Sequence, residues 1–270
     1  MLDSEQENMA AQDLSAEDAC PQNVRSALRG SIYILPNLFT TASLFAGFWS
    51  LILSAQGEAA SAAVAILFGA LMDGLDGKVA RLTNTASEFG IQYDSLADLV
   101  TFGVAPAFLA WMWKLSVYGR LGIGACFLFA GCAALRLARF NVSTAVVGKK
   151  FFIGLPSPAA GGTLVLLVLF SETLPDWMQG AVPLLTLILT VATGLLMVSR
   201  VRYFSFKEYG FFRAHPFRSM VGMLIVFALI FSAPRQLGFL LGVCYTLSGL
   251  VYSYLLSRQD KKKLNSLADM

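Results

Sequence analysis

Three stretches of the chain, 31–57, 180–199 and 236–257, contain no charged side chain at all. A helix needs about 20 mostly apolar residues to cross the hydrocarbon of a bilayer. Stretches of this length therefore constrain the fold more than any motif does. The rest of the chain agrees: 56% of the 270 residues are hydrophobic and 14% are charged, against about 25% charged in a soluble domain. The expected fold class is all-α, a polytopic membrane helix bundle.

About eight spans can be drawn, near 36–55, 60–82, 92–113, 119–140, 157–173, 178–199, 217–233 and 236–257. Basic residues collect on the cytoplasmic side of membrane proteins, and here the bias is strong. With the N-terminus inside, Arg25, Arg29, Lys78, Arg81, Arg136, Arg139, Lys149, Lys150, the 200–218 loop and the Lys261–Lys263 tail all fall on that side. Of the 20 basic residues, only Lys114, Arg120 and Arg235 face out. Both termini are therefore expected in the cytoplasm, with the protein in the inner (cytoplasmic) membrane. The net charge of +3 expresses this topology and suits contact with anionic lipid headgroups, not nucleic-acid binding. Residues 1–30 read as an acidic, disordered cytoplasmic tail, unlike the basic start of a signal peptide. Residues 31–210 read as the main membrane domain, 211–257 as two additional transmembrane helices and 258–270 as a basic tail.

Two residue types often used in chemistry carry no signal here. Cys20, Cys126, Cys132 and Cys244 have no metal-ligand spacing and read as small packing residues. His215, the single histidine, sits in a basic loop. The acids are different. Asp73 and Asp76 share one face of the second span with Gly77, Ala80 and Arg81, at helical spacings i, i+3, i+4, i+7 and i+8. Gly90, Asp94 and Asp98 share one face of the third. Asp73 stands 15 residues beyond Glu58, about 22 Å along a helix. Asp98 stands 16 residues before Lys114, about 24 Å. Both measures place the acids in the cytoplasmic third of a core about 30 Å thick. A charge at mid-bilayer costs about 2.5–3.5 kcal/mol, so four facing carboxylates must take up protons or recruit cations. Carboxylate oxygens suit Mg²⁺ or Mn²⁺, and a pair of such ions suits phosphoryl chemistry. The small residues on the same faces leave room either for close helix packing or for a bound nucleotide.

The pattern D-x2-D-G-x2-A-R-x8-G-x3-D-x3-D, formed by Asp73, Asp76, Gly77, Ala80, Arg81, Gly90, Asp94 and Asp98, resembles the signature of the CDP-alcohol phosphotransferases. The stretches LPNLFTTASLFAGF, LRLARFN, FIGLPSPAA and MVSRVRYFSFK are similar to the phosphatidylserine synthase branch of that family. The resemblance covers about residues 33–207. It implies two divalent cations, Mg²⁺ or Mn²⁺, held by Asp73, Asp76, Asp94 and Asp98, with Asp98 also the catalytic base. It implies a nucleotide and donor site at Asp73, Gly77, Ala80, Arg81 and Gly90. It further implies CDP-diacylglycerol as donor, L-serine as acceptor, phosphatidylserine and CMP as products, and a homodimer. Other acceptors known in the family are glycerol 3-phosphate, an inositol phosphate and choline.

The carboxylate of serine needs a cation. Arg136 and Arg139, at i, i+3 near the cytoplasmic end of the fourth span, are the candidates for binding the acceptor or a phosphate; snorkelling to lipid headgroups is their ordinary role. Asn37 and Thr40 are expected to open the first helix, with Asn capping it. A reading from a different class is a carrier that couples cation movement to buried carboxylates. It gives no reason for the Gly, Ala and Arg positions.

Overall fold

The computed structural model describes residues 22–83, 87–144, 152–199, 201–203 and 233–268. It is an all-helical bundle with one minimal pair of strands. Helices α1 (Gln22–Ala55) and α2 (Ala59–Thr83) form a hairpin whose turn uses Gly57 at φ +84°. Helix α3 (Glu88–Asp98) runs directly into a π-helical turn, Leu99–Val104, and then into α4 (Ala105–Trp113). Helix α5 is Arg120–Thr144, α6 is Ser157–Ser171, α7 is the single turn Asp176–Gln179, α8 is Val182–Val198 and α9 is Pro234–Ala268. Strands β1 (Phe152–Ile153) and β2 (Arg202–Tyr203) pair antiparallel, with Phe152 opposite Tyr203.

Four segments among the described residues are long and apolar enough to cross a membrane: Asn37–Ala55, Ala59–Val79, Glu88–Trp113 and Arg120–Val142. Ser157–Ser171 and Val182–Val198 are shorter apolar helices. The span drawn at 217–233, together with Lys149, Lys150, His215 and most of the 200–218 loop, lies outside the described residues. Helix α1 begins at Gln22, inside the segment assigned to the tail. Asn37 is therefore well within α1 and does not cap it. Its carbonyl accepts a hydrogen bond from Thr41 Oγ1 at 2.7 Å, as an interior helical carbonyl can.

The distribution of polarity is that of a membrane bundle. Large apolar side chains such as Phe45, Phe48, Phe68 and Leu71 are exposed, while Ser43, Ser50, Ser54, Thr101, Thr163, Thr186 and Thr190 are buried. Lipid offers no hydrophobic reason to bury a leucine, so small residues that let backbones approach line the contacts instead. Several buried hydroxyls satisfy themselves on the preceding turn. Ser54 donates to the Ser50 carbonyl at 2.7 Å and Thr190 to the Thr186 carbonyl at 2.7 Å.

The π turn lies where α1, α2, α5 and α6 converge, and its cause is local. Pro106 has no N–H to donate to the Phe102 carbonyl, so the α-helical ladder is interrupted there. The Ala105 N–H reaches back to the Val100 carbonyl, a five-residue step. Thr101 is fully buried and donates to the Ser43 carbonyl at 3.0 Å. A Cβ on Gly47 would stand 2.7 Å from Thr101 Oγ1, and one on Gly69 would stand 2.7 Å from Thr101 Cγ2. Only glycines permit α1 and α2 to close on this side chain from two directions. A Cβ on Gly161 of α6 would stand 2.8 Å from the Phe102 carbonyl oxygen.

Candidate metal centre

Helix α2 supplies Asp73 and Asp76, and α3 supplies Asp94 and Asp98. One carboxylate oxygen from each of Asp73, Asp76 and Asp94 lies within 4.8 Å of the other two. Asp98 completes the group from the side, meeting Asp73 carboxylate to carboxylate. The i, i+3 and i, i+4 spacings in the sequence thus converge in space.

They converge without a close helix pair. The two acid-bearing helices do not pack face to face. Each packs mainly on α1, and their backbones scarcely touch. The small residues therefore do not serve a tight α2–α3 seam. The two helices form a cleft with α1 as its floor, and the carboxylates project into it. Gly90 faces that floor: a Cβ there would lie 3.4 Å from Asn37 Oδ1 and 3.1 Å from Ser87 Oγ. Ser87 caps α3 by accepting the Gly90 N–H at 3.0 Å.

Two hydroxyls on α1 fix the walls. Thr40, buried in the floor, donates from Oγ1 to Asp76 Oδ2 at 2.8 Å. The Gly77 N–H also bonds the Asp76 carboxylate, so the most buried of the four acids, 6% exposed, is held from two sides. Thr41 Oγ1 lies 2.9 Å from the Tyr93 hydroxyl, next to Asp94. On the other flank of α3, Asn141 donates to Gln92 Oε1 at 3.0 Å and accepts from Ser95 Oγ at 3.1 Å. Hydrogen bonds of this kind orient ligating carboxylates and tune their affinity.

These residues fit hard divalent cations. The donor set is entirely anionic oxygen, and like charges in contact within a half-buried cleft repel unless something positive lies between them. Asp98 Oδ1 is buried and has no hydrogen-bond partner in the protein, so it can accept from, or ligate, a group that enters.

The structure separates the two candidate arginines. Arg139 is exposed on α5. Arg136 turns inward, donates from Nη1 to the buried Ser157 Oγ at 2.9 Å, and lies within electrostatic reach of Asp98. Its Nε is buried and unpartnered. Among the described residues, buried side-chain polar atoms without a partner occur only at Ser50 Oγ, Asp98 Oδ1 and Arg136 Nε. Two of these three belong to one neighbourhood, one an acceptor and the other a donor. The side chains of Ala80 and Arg81 lie outside the described residues, although both positions belong to α2.

Neither the place of Thr40 beside an acid nor the pairing of Ser157 with an arginine follows from the sequence pattern. Thr40 had a weak signal, because it shares a helical face with Ser43 and Gly47 at i, i+3, i+7. Ser157 had only its position in LPSP. Cys132 is buried and Cys126 half-buried in α5, whereas Cys244 is exposed; none of the three touches the acid cleft in any contact the structure gives.

Known proteins are similar to this chain in sequence. Residues 33–197 match the family model of the CDP-alcohol phosphatidyltransferases. The chain is 40% identical over 205 residues to a CDP-diacylglycerol–serine O-phosphatidyltransferase from Helicobacter pylori (strain ATCC 700392 / 26695), covering 76% of this chain and 84% of the relative. It is 37% identical over 149 residues to the enzyme of that name from Bacillus subtilis (strain 168), covering 55% and 77%. It is 40% identical over 138 residues to the one from Methanocaldococcus jannaschii, covering 51% and 61%. The acid cleft and the four aspartates that line it all lie within the matched region, and the chain belongs to the CDP-alcohol phosphatidyltransferase family.

Proposed function

We propose that this integral membrane protein transfers the phosphatidyl group of CDP-diacylglycerol to the hydroxyl of L-serine, forming phosphatidylserine and CMP. The observation that carries the reading is the convergence of Asp73, Asp76 and Asp94 to within 4.8 Å, in a chain that matches relatives of that name over most of their length. Asp73, Asp76 and Asp94, with Asp98, would hold two divalent cations, Mg²⁺ or Mn²⁺, which neutralise a pyrophosphate and polarise its phosphorus. Everything else in the step belongs to the chain's own residues.

Asp98 Oδ1, buried and unpartnered, accepts the proton of the serine hydroxyl. As that proton leaves, the serine oxygen bonds to the phosphorus carrying diacylglycerol, and the bond from that phosphorus to CMP breaks. One displacement suffices, and no covalent enzyme intermediate is needed. Arg136 Nε meets the serine carboxylate, while Ser157 holds the guanidinium in place through Nη1. The donor's cytidine lies along Gly77, Ala80 and Gly90, with Arg81 beside its phosphates. Arg139, exposed, serves headgroups or an approaching phosphate. The acyl chains stay in lipid, and serine arrives from the cytoplasmic side of the inner membrane, where both termini also lie. Eight spans and a homodimer complete this reading.

The test is direct. Purified protein in detergent micelles receives CDP-diacylglycerol, Mn²⁺ or Mg²⁺, and radiolabelled serine. Label entering the lipid fraction, matched by CMP release, is the expected result. Label entering from glycerol 3-phosphate and none from serine would replace the acceptor while leaving the reaction class intact.

A further inference from the structure

Helix α9 begins at Pro234, beyond the matched residues 33–197, and the reaction as derived gives it no part. Its position in the bundle is nevertheless well defined. It runs antiparallel to α6, and the seam can be followed rung by rung. Arg235 pairs with Glu172 at 3.0 Å. Phe239 stacks on Phe170 with ring centroids 4.9 Å apart. A Cβ on Gly238 would stand 3.0 Å from Leu166 Cδ2, and one on Gly242 would stand 3.1 Å from Thr163 Oγ1. From Arg235 to Gly242 the partners on α6 run back from Glu172 to Thr163. Continued by one turn, this register brings Tyr245 to the first turn of α6, the turn that holds Ser157.

Packing agrees with the register. Tyr245 lies against the buried group that includes Cys132, Ala133, Leu155 and Ala160. Cys132 and Ala133 are one turn from Arg136 on α5, and Leu155 and Ala160 bracket Ser157. The Tyr245 phenol and the Arg136 guanidinium are within electrostatic reach of each other, and Arg136 is within reach of Asp98. The guanidinium is thus fixed by Ser157 through Nη1, bordered by Asp98 and Tyr245, and left with a buried, unpartnered Nε. That is the setting in which a planar anion takes the free edge of an arginine side-on, with a phenol as a second donor.

We propose that Tyr245 is an acceptor-specificity residue: with Arg136 it binds the carboxylate of the amino-acid acceptor, making α9 the wall of the site that selects that acceptor. The proposal rests on the reading of serine as acceptor and deepens it. An alcohol without a carboxylate leaves Arg136 Nε unpaired, and a site built to bond a group discriminates strongly against analogues that lack it.

The experiment compares serine with serinamide, which keeps the hydroxyl and amine but has no carboxylate, in the full-length wild type and in Tyr245→Phe. The expected result is a fall of about tenfold in kcat/KM for serine, carried by KM, with serinamide changed less than twofold and KM for CDP-diacylglycerol unchanged. Where serinamide turns over slowly, its inhibition constant against serine gives the same comparison. Tyr245→Gln, which restores a donor without the ring, regains part of the preference for serine. An equal fall for both acceptors, or no fall for serine, overturns the proposal and leaves the serine reading standing. A wild type that uses serinamide as well as serine overturns it too. A wild type inert toward serine but active with another acceptor overturns the serine reading, and this proposal with it.

Discussion

Two pairs of helices in this molecule meet in opposite ways. Helices α2 and α3 carry the four aspartates, scarcely touch through their backbones, and are joined through side chains projecting into a cleft. Helices α6 and α9 close tightly on Gly238 and Gly242, a stacked phenylalanine pair and an end-to-end ion pair. In lipid, a close seam of small residues is how helices associate. A pair of helices held apart has given up that contact and needs support from elsewhere. Here α1 supplies it, through Thr40, Thr41 and the glycine that admits Thr101. Separated helices carry the proposed metal-binding acids, and the zipped pair frames the site beside them.

The comparison breaks most visibly if cations are withdrawn. Chelation with EDTA should abolish transfer, and Mn²⁺ or Mg²⁺ should restore it; activity that persists in a verified metal-free sample would show the cleft to be mere packing. Asp98→Asn should lower turnover by about 10²–10⁴-fold, with helical circular dichroism and thermal midpoint in detergent unchanged. Full activity in that variant would remove Asp98 from the proton transfer. Thr40→Val deletes the floor's bond to Asp76 and should weaken Mn²⁺ binding by about 10–100-fold, measured by titration calorimetry. An unchanged affinity would show that the floor supports the fold only.

The next test treats the two helix pairs alike. Gly69→Val and Gly242→Val each drive side-chain bulk into a close contact, and each should destabilise the protein by about 1–3 kcal/mol. Only the first displaces Thr101 and so should also weaken Mn²⁺ binding. Equal loss of affinity in both variants would erase the distinction between site and frame. The smallest effect belongs to the rim of the seam. Glu172 and Arg235 are 41% and 54% exposed, so Glu172→Gln should cost less than about 1 kcal/mol and leave serine turnover unchanged.

The acid half of the site was legible in the sequence because the bilayer makes charge expensive. Four aspartates in an apolar run have few explanations, and helical spacing alone places each pair on one face. The family signature then supplied roles for them. The fold class was legible for the same reason, and seven of the eight drawn spans overlap described helices. What escaped was everything set by tertiary register. Thr40 bonds a residue 36 positions away, and no local pattern announces that partner. Arg136 and Arg139 looked equivalent at i, i+3, yet a modest rotation of α5 turns one inward and leaves the other exposed. Asn37 does not cap a helix, because α1 begins at Gln22 and continues through Pro36.

The π turn at Leu99–Val104 has a further consequence. A π turn holds one residue more than the α-helical turn it replaces, and in an α-helix each residue advances the face by about 100°. The segment from Glu88 to Trp113 is therefore two helices whose faces are offset by about one residue. The aspartates upstream are aimed by one, and the apolar side chains of Ala105–Trp113 by the other. A fold of this kind can revise its buried half without re-aiming its charged half, provided that the wide turn is kept. Deleting a single residue from the turn would cancel that offset, and either the carboxylates or the core would then face the wrong way.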